Sequence, residues 1–427
     1  MNIINIYENF NSYFNDASKI QFKAIFEQCS KIALKNGYKL YLIGGIVRDL
    51  LLNKKSLDVD IAVEGNAIEF AKILKTQIGA KISSMHPDFG TAKVEINGTP
   101  IDFASTRSET YPKAGHLPHV DKIGCSLKED VLRRDFTINS LAISLNQNDF
   151  ADLIDYVDGF DDLKAKKIRV LHDKSFIDDP TRIIRALKYS TRLGFELEEN
   201  TLRLQEDYLK NINYDICYKR VKQEIKKTFE ACGQGTFDKF LEQGIYNLIT
   251  SNIQISRHAE LVSASYQHTT PDKSRNKFGM TLGGKIEKLI AKYKPKHQWL
   301  VYFGIIVIGE NIDKLELTKY EKEVIEGTEG LKNKTFSNDF DIYKAFSTQK
   351  LETLLILAVS GKEKEVCHYL DNLQKIKLLI TGQDLIKLGL KPSKQFNEIF
   401  DFVLKKKLKN PAMKKVEEIK LVEKLKG

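Results

Sequence analysis

Two adjacent glycines near the start of the chain separate an apolar run from a charged segment, in Leu42-Ile43-Gly44-Gly45-Ile46-Val47-Arg48-Asp49. This order predicts a strand, a tight turn and a helix, because glycine lets the backbone turn sharply and approach a ligand closely. The N–H groups of such a turn bind phosphate. The next predicted strand contains Asp58 and Asp60, whose side chains project from the same face because strand residues alternate.

A third carboxylate is expected beside this pair. Residues 91–104 alternate apolar and polar side chains around Asn97-Gly98, which is a strong β-hairpin signal. Asp102 then lies on the polar face of the second hairpin strand. Three carboxylates at one sheet edge repel one another unless cations lie between them. The pattern predicts a triphosphate site with two Mg²⁺ ions, one at the attacking hydroxyl and one at the departing pyrophosphate. The alternative is a set of solvated carboxylates at strand ends.

The glycine turn with Asp58 and Asp60 resembles the first motif of the tRNA nucleotidyltransferase and bacterial poly(A) polymerase family. Four later segments resemble further parts of this family in the same order. The second motif is at 133–142, the third at 155–159, 162–163 and 168–169, the base-reading motif at 178–185, and the tail of bacterial CCA-adding enzymes at 380–392. The resemblance implies an α+β protein. Its polymerase-beta-like nucleotidyltransferase head contains a small mixed sheet, and an all-α neck, body and tail follow.

The hydrophobic periodicity supports this division, because short β-branched runs and helical segments alternate up to about residue 171, and helical spacing prevails afterwards. Helices are expected over 67–78 and 129–145. The expected domains are an N-terminal helical extension (1–37), a catalytic head (38–170), a neck that recognises the nucleobase (171–235), and a body and tail that bind tRNA (236–427). Residues 256–281 break the helical pattern and are interpreted as a surface insertion.

The second motif supplies candidate groups for the ribose and the phosphates. Asp135 and Asn139 are four residues apart, so on a helix they share a face and can hydrogen-bond to ribose hydroxyls. Arg133 and Arg134 can bind triphosphate oxygens in bidentate fashion. The alternative interpretation is an amphipathic helix with a charged surface. The resemblance adds Gly44, Gly45 and Arg48 of the first motif to the expected nucleotide-binding residues.

The segment Asp178-Asp179-Pro180-Thr181-Arg182-Ile183-Ile184-Arg185 resembles the family motif that reads the incoming base. Cytosine and adenine both present an amino donor beside a ring-nitrogen acceptor. A carboxylate at Asp179 and a guanidinium at Arg182 match that pair of groups and leave uracil or guanine unpaired. Asp179 is also a candidate helix cap. Asp178 and Arg185 are included among the nucleotide-binding candidates, although the family more often has Glu at the position of Asp178.

Three other segments carry weaker expectations. Residues 107–128 are expected to form an irregular loop. In the family that the chain resembles, a loop here helps to switch the pocket from C addition to A addition, so the resemblance implies that its full length favours complete CCA addition. Arg220 and Glu224 are an i, i+4 pair that can brace a helix. The lysines near the C-terminus suggest either a solvated helix face or contact with an RNA backbone, and they are Lys405, Lys406, Lys407, Lys409, Lys414 and Lys415.

The composition is compatible with a nucleic-acid partner inside the cell. The formal net charge of +10 and the pI of about 9.0 favour a polyanionic partner. Five scattered cysteines without a Cys-x-x-Cys spacing suggest free thiols in a reducing compartment. The first residues do not resemble a secretory signal. The apolar run at 300–308 is too short to span a membrane and is interpreted as a buried helix. The protein is expected to be cytoplasmic, without a membrane or an obligate protein partner.

Together these features predict a Mg²⁺-dependent enzyme that adds C, C and A to tRNA 3′ ends from CTP and ATP, without a template. Asp58, Asp60 and Asp102 are the expected catalytic residues and metal ligands. Three alternatives remain: a poly(A) polymerase, a partial enzyme that adds only CC or only A, and a catalytically inactive RNA-binding protein.

Overall fold

The computed structural model describes residues 2–16, 19–55, 58–233, 235–249 and 281–425. These residues form two compact units. The first consists of Met1–Glu224 with Ala231–Gly233, and the second of Ile225–Glu230 with Gln234–Gly427. The insertion expected at 256–281 lies outside the described residues, apart from Thr281.

The first unit contains a mixed eight-stranded sheet and two small two-stranded sheets. The strands in chain order are β1 (Asn2–Asn5), β2 (Lys39–Ile43), β3 (Asp60–Glu64), β4 (Lys81–His86), β5 (Thr91–Ile96), β6 (Thr99–Ser105), β7 (Arg107–Thr110), β8 (His119–Ile123), β9 (Ala142–Ser144), β10 (Asp152–Asp155), β11 (Lys167–Ile168) and β12 (Glu196–Leu197). The large sheet has the order β1-β10-β9-β2-β3-β6-β5-β4, while β7 pairs with β8 and β11 with β12. Only the β3–β6 pair of the large sheet is parallel in the described residues.

The helices of the first unit pack on this sheet or follow it. They are α1 (Tyr7–Phe14), α2 (Ile20–Lys35), α3 (Gly45–Leu51), α4 (Ala67–Ile78), α5 (Leu127–Leu132), α6 (Gly159–Ala165), α7 (Ser175–Asp178), α8 (Thr181–Leu193) and α9 (Glu199–Lys210), with α10 (Tyr218–Ala231) containing the boundary between the units. Helix α4 has the bounds that the periodicity predicts. Asn66 caps its first turn, and Gly79 ends it in the left-handed conformation. The predicted α+β fold is confirmed.

The hairpin predicted at residues 91–104 is confirmed as β5 and β6. Asn97 and Gly98 both have positive φ, 50° and 78°, as a two-residue hairpin turn of this type requires. Ile101 and Phe103 are buried, and Asp102 between them points to the opposite face. Strand β6 thereby brings a carboxylate to the edge where β3 begins.

Two expectations for the first unit are corrected. The N-terminal extension is not purely helical, because β1 pairs with β10 at the edge of the head sheet. The helix expected over 129–145 ends at Leu132, a short 3₁₀ turn follows at Thr137–Asn139, and the remaining apolar residues form β9. Strand β9 lies between β2 and β10 and is buried on both faces. A fully buried strand is apolar throughout, so its periodicity resembles that of a buried helix.

The second unit is helical in the part that the structure describes. Its helices are α11 (Thr236–Glu242), α12 (Leu282–Tyr293), α13 (Gln298–Val307), α14 (Lys319–Lys332), α15 (Asp339–Phe346), α16 (Leu351–Leu357), α17 (Glu363–His368), α18 (Gly382–Lys387), α19 (Gln395–Lys409) and α20 (Lys415–Lys424). The apolar run predicted to be a buried helix is α13, which buries Trp299 and Phe303. None of the described helices has the length and apolar character that crossing a bilayer requires.

One of the C-terminal lysines is neither solvated nor available to RNA. Lys407 is 4% exposed, and its ammonium group forms an ion pair with Glu418, which is fully buried. The other oxygen of Glu418 accepts hydrogen bonds from the backbone N–H groups of Leu379 and Ile380, both at 2.8 Å. This pair therefore joins α19, α20 and the segment before α18.

We expect Lys407→Gln to destabilise the C-terminal helices by about 3 to 5 kcal/mol, because it leaves a buried carboxylate without its cation. Hydrogen exchange of the amides in α19 and α20 measures the change. Lys409→Gln is the matched control, since Lys409 is exposed on the same helix. Equal protection in the two variants would contradict the structural role of the buried pair.

Candidate active site

The turn after β2 has a backbone conformation that only glycine adopts readily. Gly44 has φ 79° and ψ −135°, and α3 begins at the next residue, Gly45. A Cβ atom on Gly44 would lie 3.7 Å from Nη1 of Arg134. Because α3 has only seven residues, its dipole adds little, and the turn itself provides the close backbone approach.

Arg48 of the same motif faces the protein interior. Its side chain is 2% exposed and hydrogen-bonds to Asp49 through Nε at 2.9 Å and Nη2 at 2.7 Å. Its Nη1 donates to Oδ1 of Asn139 at 2.7 Å. Arg48 therefore braces α3 against the 3₁₀ turn, and its contact with a nucleotide stays a prediction.

The carboxylates of Asp60 and Asp102 come from partnered positions on the parallel strands β3 and β6. Asp58 lies just before β3 and is exposed. Asp60 is exposed at the start of β3, yet partial desolvation by the surrounding protein, followed by the charges of Asp102 and Asp58, raises the pKa of its carboxyl, while Arg134 and Lys93 oppose the shift. Nζ of Lys93 lies 3.2 Å from Oδ2 of Asp102. The three carboxylates thus act on one another electrostatically at one sheet edge.

A preassembled metal centre is not found in this arrangement. Across the described ranges, no group of three or more histidine, cysteine, aspartate or glutamate side chains is arranged to hold a metal ion. The assignment of Asp58, Asp60 and Asp102 as metal ligands therefore stays a prediction.

Asp130 binds both arginines of the second motif, and the sequence reasoning did not identify it. Its Oδ1 accepts from Nε and Nη2 of Arg133 at 3.0 and 2.6 Å, and its Oδ2 accepts from Nε and Nη2 of Arg134 at 3.3 and 2.8 Å. Asp130 is 1% exposed; this burial alone would raise its pKa, but the two guanidinium groups outweigh it and lower the pKa to about 2. The i, i+3 and i, i+4 spacing on α5 was the available signal.

Asp135 and Asn139 contact each other, although they do not share a regular α-helix. Nδ2 of Asn139 donates to Oδ1 of Asp135 at 3.2 Å. Oδ2 of Asp135 accepts from Nε and Nη2 of Arg185 at 2.8 and 2.5 Å, and against the effect of burial the Arg185 charge keeps the pKa of this carboxyl low. Both residues are buried and bound to protein groups, so their contact with ribose stays a prediction.

The two base-reading candidates flank the start of α8. Asp179 is 6% exposed, and its Oδ1 accepts from the N–H of Thr181 at 3.1 Å, which agrees with the capping role. Arg182 is 3% exposed and donates from Nη1 to Oγ of Ser175 at 2.6 Å and from Nη2 to the hydroxyl of Tyr111 at 3.2 Å.

Arg220 completes the surroundings of Asp179. Its Nη2 lies 2.5 Å from Oδ2 of Asp179, whereas Glu224 pairs with Lys188 at 3.2 Å. The expectation that Arg220 and Glu224 brace α10 by pairing with each other is therefore wrong. The side chain of Asp178 is partly exposed, with one oxygen 4.0 Å from Nε2 of His172.

Residues 107–128 contain a β-hairpin, β7 and β8, in place of the expected irregular loop. Its base is held by Glu109, which pairs with Arg107 at 2.6 Å and with Arg133 at 3.2 Å. Its tip is held at Gly115, whose N–H donates to the carbonyl of Asp178 at 3.0 Å. Gly115 has φ 77°, and a Cβ there would lie 2.5 Å from Cγ2 of Ile216. The tip can pack this closely only because it lacks a side chain.

Comparisons with known proteins agree with this geometry. Residues 40–169 match the poly A polymerase head domain. The chain is 52% identical over 166 residues to the A-adding tRNA nucleotidyltransferase of Aquifex aeolicus, which covers 39% of this chain and 20% of that protein. It is 30% identical over 427 residues to the A-adding tRNA nucleotidyltransferase of Geobacter sulfurreducens, covering 94% of this chain and 47% of the relative. The chain thus spans less than half the length of both relatives.

Solved structures match nearly the whole chain. A CCA-adding enzyme in apo form II has a TM-score of 0.79 at 26% identity and covers 99% of both chains. A CCA-adding enzyme with ATP gives a TM-score of 0.77 at 26% identity, covering 100% of this chain and 98% of that one. The Thermotoga maritima CCA-adding enzyme with tRNA gives 0.70 at 26% identity and covers 100% of both.

The fold and the strand-edge carboxylates define a nucleotidyltransferase head of the polymerase-beta-like class. Residues 40–169 of the chain are a poly A polymerase head domain, and nearly the whole chain is similar to A-adding and CCA-adding tRNA nucleotidyltransferases, as its motifs predicted.

We expect Asp60→Asn to stabilise the protein at alkaline pH in the absence of divalent cations. The raised pKa means that the ionised carboxylate is the less favourable form in the folded state. The stability associated with protonated Asp60 is therefore lost as the pH rises through its folded-state pKa. The gain from the amide should shrink as the pH falls toward the ordinary carboxyl range.

Thermal unfolding of the wild-type protein and of Asp60→Asn, measured across pH in a chelating buffer, tests the direction of this stability change. A lower melting temperature for Asp60→Asn at alkaline pH would show that the neighbouring carboxylates do not repel Asp60. Asp161→Asn is the control, because Asp161 is an exposed head residue that pairs with the nearby surface residue Lys164 at 3.2 Å.

Proposed function

We propose that this protein adds C, C and A to the 3′ ends of tRNA, using CTP and ATP and releasing pyrophosphate. The observation that carries the proposal is the register of the parallel strands β3 and β6, which places Asp60 beside Asp102. The Gly44 turn and Arg134, which lie next to each other, complete the proposed site. The tRNA 3′-hydroxyl attacks the α-phosphate in line, and pyrophosphate leaves. The proposed setting is the cytoplasm.

Mg²⁺ is the proposed metal because the donor set consists of carboxylates, which suit this ion. Asp58, Asp60 and Asp102 would hold it, and bound Mg²⁺ would supply charge stabilisation at the attacking and leaving oxygens. The raised pKa of Asp60 reflects desolvation first and then the negative charges of Asp102 and Asp58, and a cation would offset those charges. Lys93 at Asp102 supplies part of that positive charge in the free protein.

Base selection is proposed to depend on Asp179 and Arg182. A carboxylate accepts from the amino group of cytosine or adenine, and a guanidinium donates to the ring nitrogen. In the structure, Asp179 accepts a hydrogen bond from Arg220, and Arg182 donates hydrogen bonds to Ser175 and to Tyr111. Reading a base therefore requires these two side chains to share or exchange hydrogen-bond partners. That requirement makes the β7–β8 hairpin, which carries Tyr111 after β7, part of the proposed base pocket.

Addition of the terminal A alone is the second candidate function. It is favoured by the names of the Aquifex aeolicus and Geobacter sulfurreducens relatives, both described as A-adding. The solved structures that span this chain are described as CCA-adding, and one of them is a complex with tRNA. A-adding and CCA-adding enzymes differ, as their names say, in the nucleotides that they add. Sequencing the extended tRNA therefore distinguishes the two candidate functions.

The purified protein should extend tRNAs that end before the first C, after C and after CC, and it should stop at CCA. Each tRNA is incubated with each single NTP and with CTP plus ATP, and the products are sequenced. Extension only of the tRNA ending in CC, and only by A, would establish the A-adding alternative. Growth beyond CCA with ATP would indicate a poly(A) polymerase, and absence of any extension would favour an inactive RNA-binding protein.

Asp60→Ala should abolish incorporation while tRNA binding stays within about twofold, because tRNA is held mainly through backbone contacts and shape. Single-turnover incorporation and a filter-binding titration measure the two properties. Retained incorporation would remove Asp60 from the proposed metal site. The control is again Asp161→Asn, which should leave both properties unchanged.

A further inference from the structure

The two neighbouring arginines of the second motif have different surroundings. Every nitrogen of the Arg133 guanidinium group contacts an acceptor: Nε and Nη2 bind Asp130, and Nη1 lies 3.2 Å from Oε2 of Glu109. Nε of Arg133 also donates to the carbonyl of Arg107 at 3.0 Å. With two carboxylates bound and a side chain that is 16% exposed, Arg133 has little capacity left for a ligand.

Arg134 is held on one side only. Its Nε and Nη2 donate to Oδ2 of Asp130, while Nη1 lies on the side of the Gly44 turn, 3.7 Å from the position of a Cβ on that glycine. Arg134 also acts electrostatically on Asp60. Its remaining amino group therefore lies beside the turn, where the proposed triphosphate would bind.

The charges of this cluster do not cancel. Arg107, Arg133 and Arg134 contribute three positive charges, and Asp130 and Glu109 contribute two negative charges, which leaves one positive charge in excess. Glu109 is 4% exposed and lies between Arg107 and Arg133. The side chain in this cluster that faces the turn is Arg134, so the excess charge is presented where an anion would approach.

We propose that Asp130 is a positioning residue that orients Arg134 toward the triphosphate and fixes Arg133 as a structural link to the β7–β8 hairpin. The sequence suggested that both arginines bind phosphate, and this inference assigns that contact to Arg134 alone. It rests on the proposed function, because it assumes that a nucleoside triphosphate binds beside Gly44. The low pKa of Asp130, about 2, keeps the carboxylate ionised at any working pH.

The test compares the binding of MgATP to the wild-type protein and to Asp130→Asn by isothermal titration calorimetry. We expect the dissociation constant to rise roughly tenfold in Asp130→Asn, because an amide cannot accept from both guanidinium groups. The affinity for tRNA should change less than about twofold, since the cluster faces the nucleotide. Asp161→Asn should leave both constants unchanged.

A double-mutant cycle with Arg134→Lys separates positioning from general stabilisation. If Asp130 acts through Arg134, adding Asp130→Asn to Arg134→Lys should weaken MgATP binding by less than about threefold. A full tenfold loss in that background would overturn the proposal, as would an unchanged dissociation constant in Asp130→Asn alone.

Should Asp130→Asn not fold, the single variants Arg133→Lys and Arg134→Lys decide the matter. Arg134→Lys should weaken MgATP binding more than Arg133→Lys, and Arg133→Lys should lower the melting temperature more, because Arg133 carries the buried hairpin contacts. The opposite ranking would overturn the proposal. A wild-type protein that binds MgATP but extends no tRNA would refute the proposed function and leave this assignment standing.

Discussion

The candidate active site depends on one parallel strand pair. Strand β3 pairs with β6 so that Asp60 lies beside Asp102, and the N–H of Asp102 donates to the carbonyl of Val59 at 3.1 Å. Ile61 and Phe103 follow in the same register and are buried. A slip of one residue would turn these apolar side chains outward and bury the carboxylates, so core packing fixes the position of two like charges that repel each other.

Buried carboxylates hold the arginine side chains of the candidate active site in place. Asp49 binds Arg48, Asp130 binds Arg133 and Arg134, and Asp135 binds Arg185, and each of these three aspartates is at most 8% exposed. An isolated buried charge is costly, but here Nε and Nη2 of each arginine donate to one carboxylate oxygen, which restricts the guanidinium group, and the other oxygen accepts from a further donor. Arginines that are already ordered lose less conformational entropy when an anion arrives. For Arg134, the proposed phosphate contact, the pair with Asp130 thus favours binding of a charged ligand even where it adds little to stability.

Sequence reasoning predicted the geometry of the strand edge more accurately than the buried contacts. The Asn97-Gly98 turn and the alternation in β6 predicted where Asp102 faces, because both signals are local. The partners of Arg48, Arg185 and Arg220 could not be read from spacing, since they come from Asn139, Asp135 and Asp179 in other elements. The contacts of Asp130 with Arg133 and Arg134 were predictable from their helical spacing. The helix itself, however, was expected to continue through residues that instead form β9.

The β7–β8 hairpin connects the two halves of the proposed nucleotide site within the first unit. At its base, Glu109 pairs with Arg133, which belongs to the phosphate-binding motif. At its tip, the carbonyl of His116 accepts from Arg220 at 3.1 Å, and the same guanidinium group binds Asp179. Because glycine at position 115 lets the tip pack against Ile216, a larger residue there would have to separate these elements. A change in the position of the hairpin would therefore alter the hydrogen bonds of Asp179, the proposed base-reading carboxylate, while Glu109 keeps its base attached to Arg133 of the second motif.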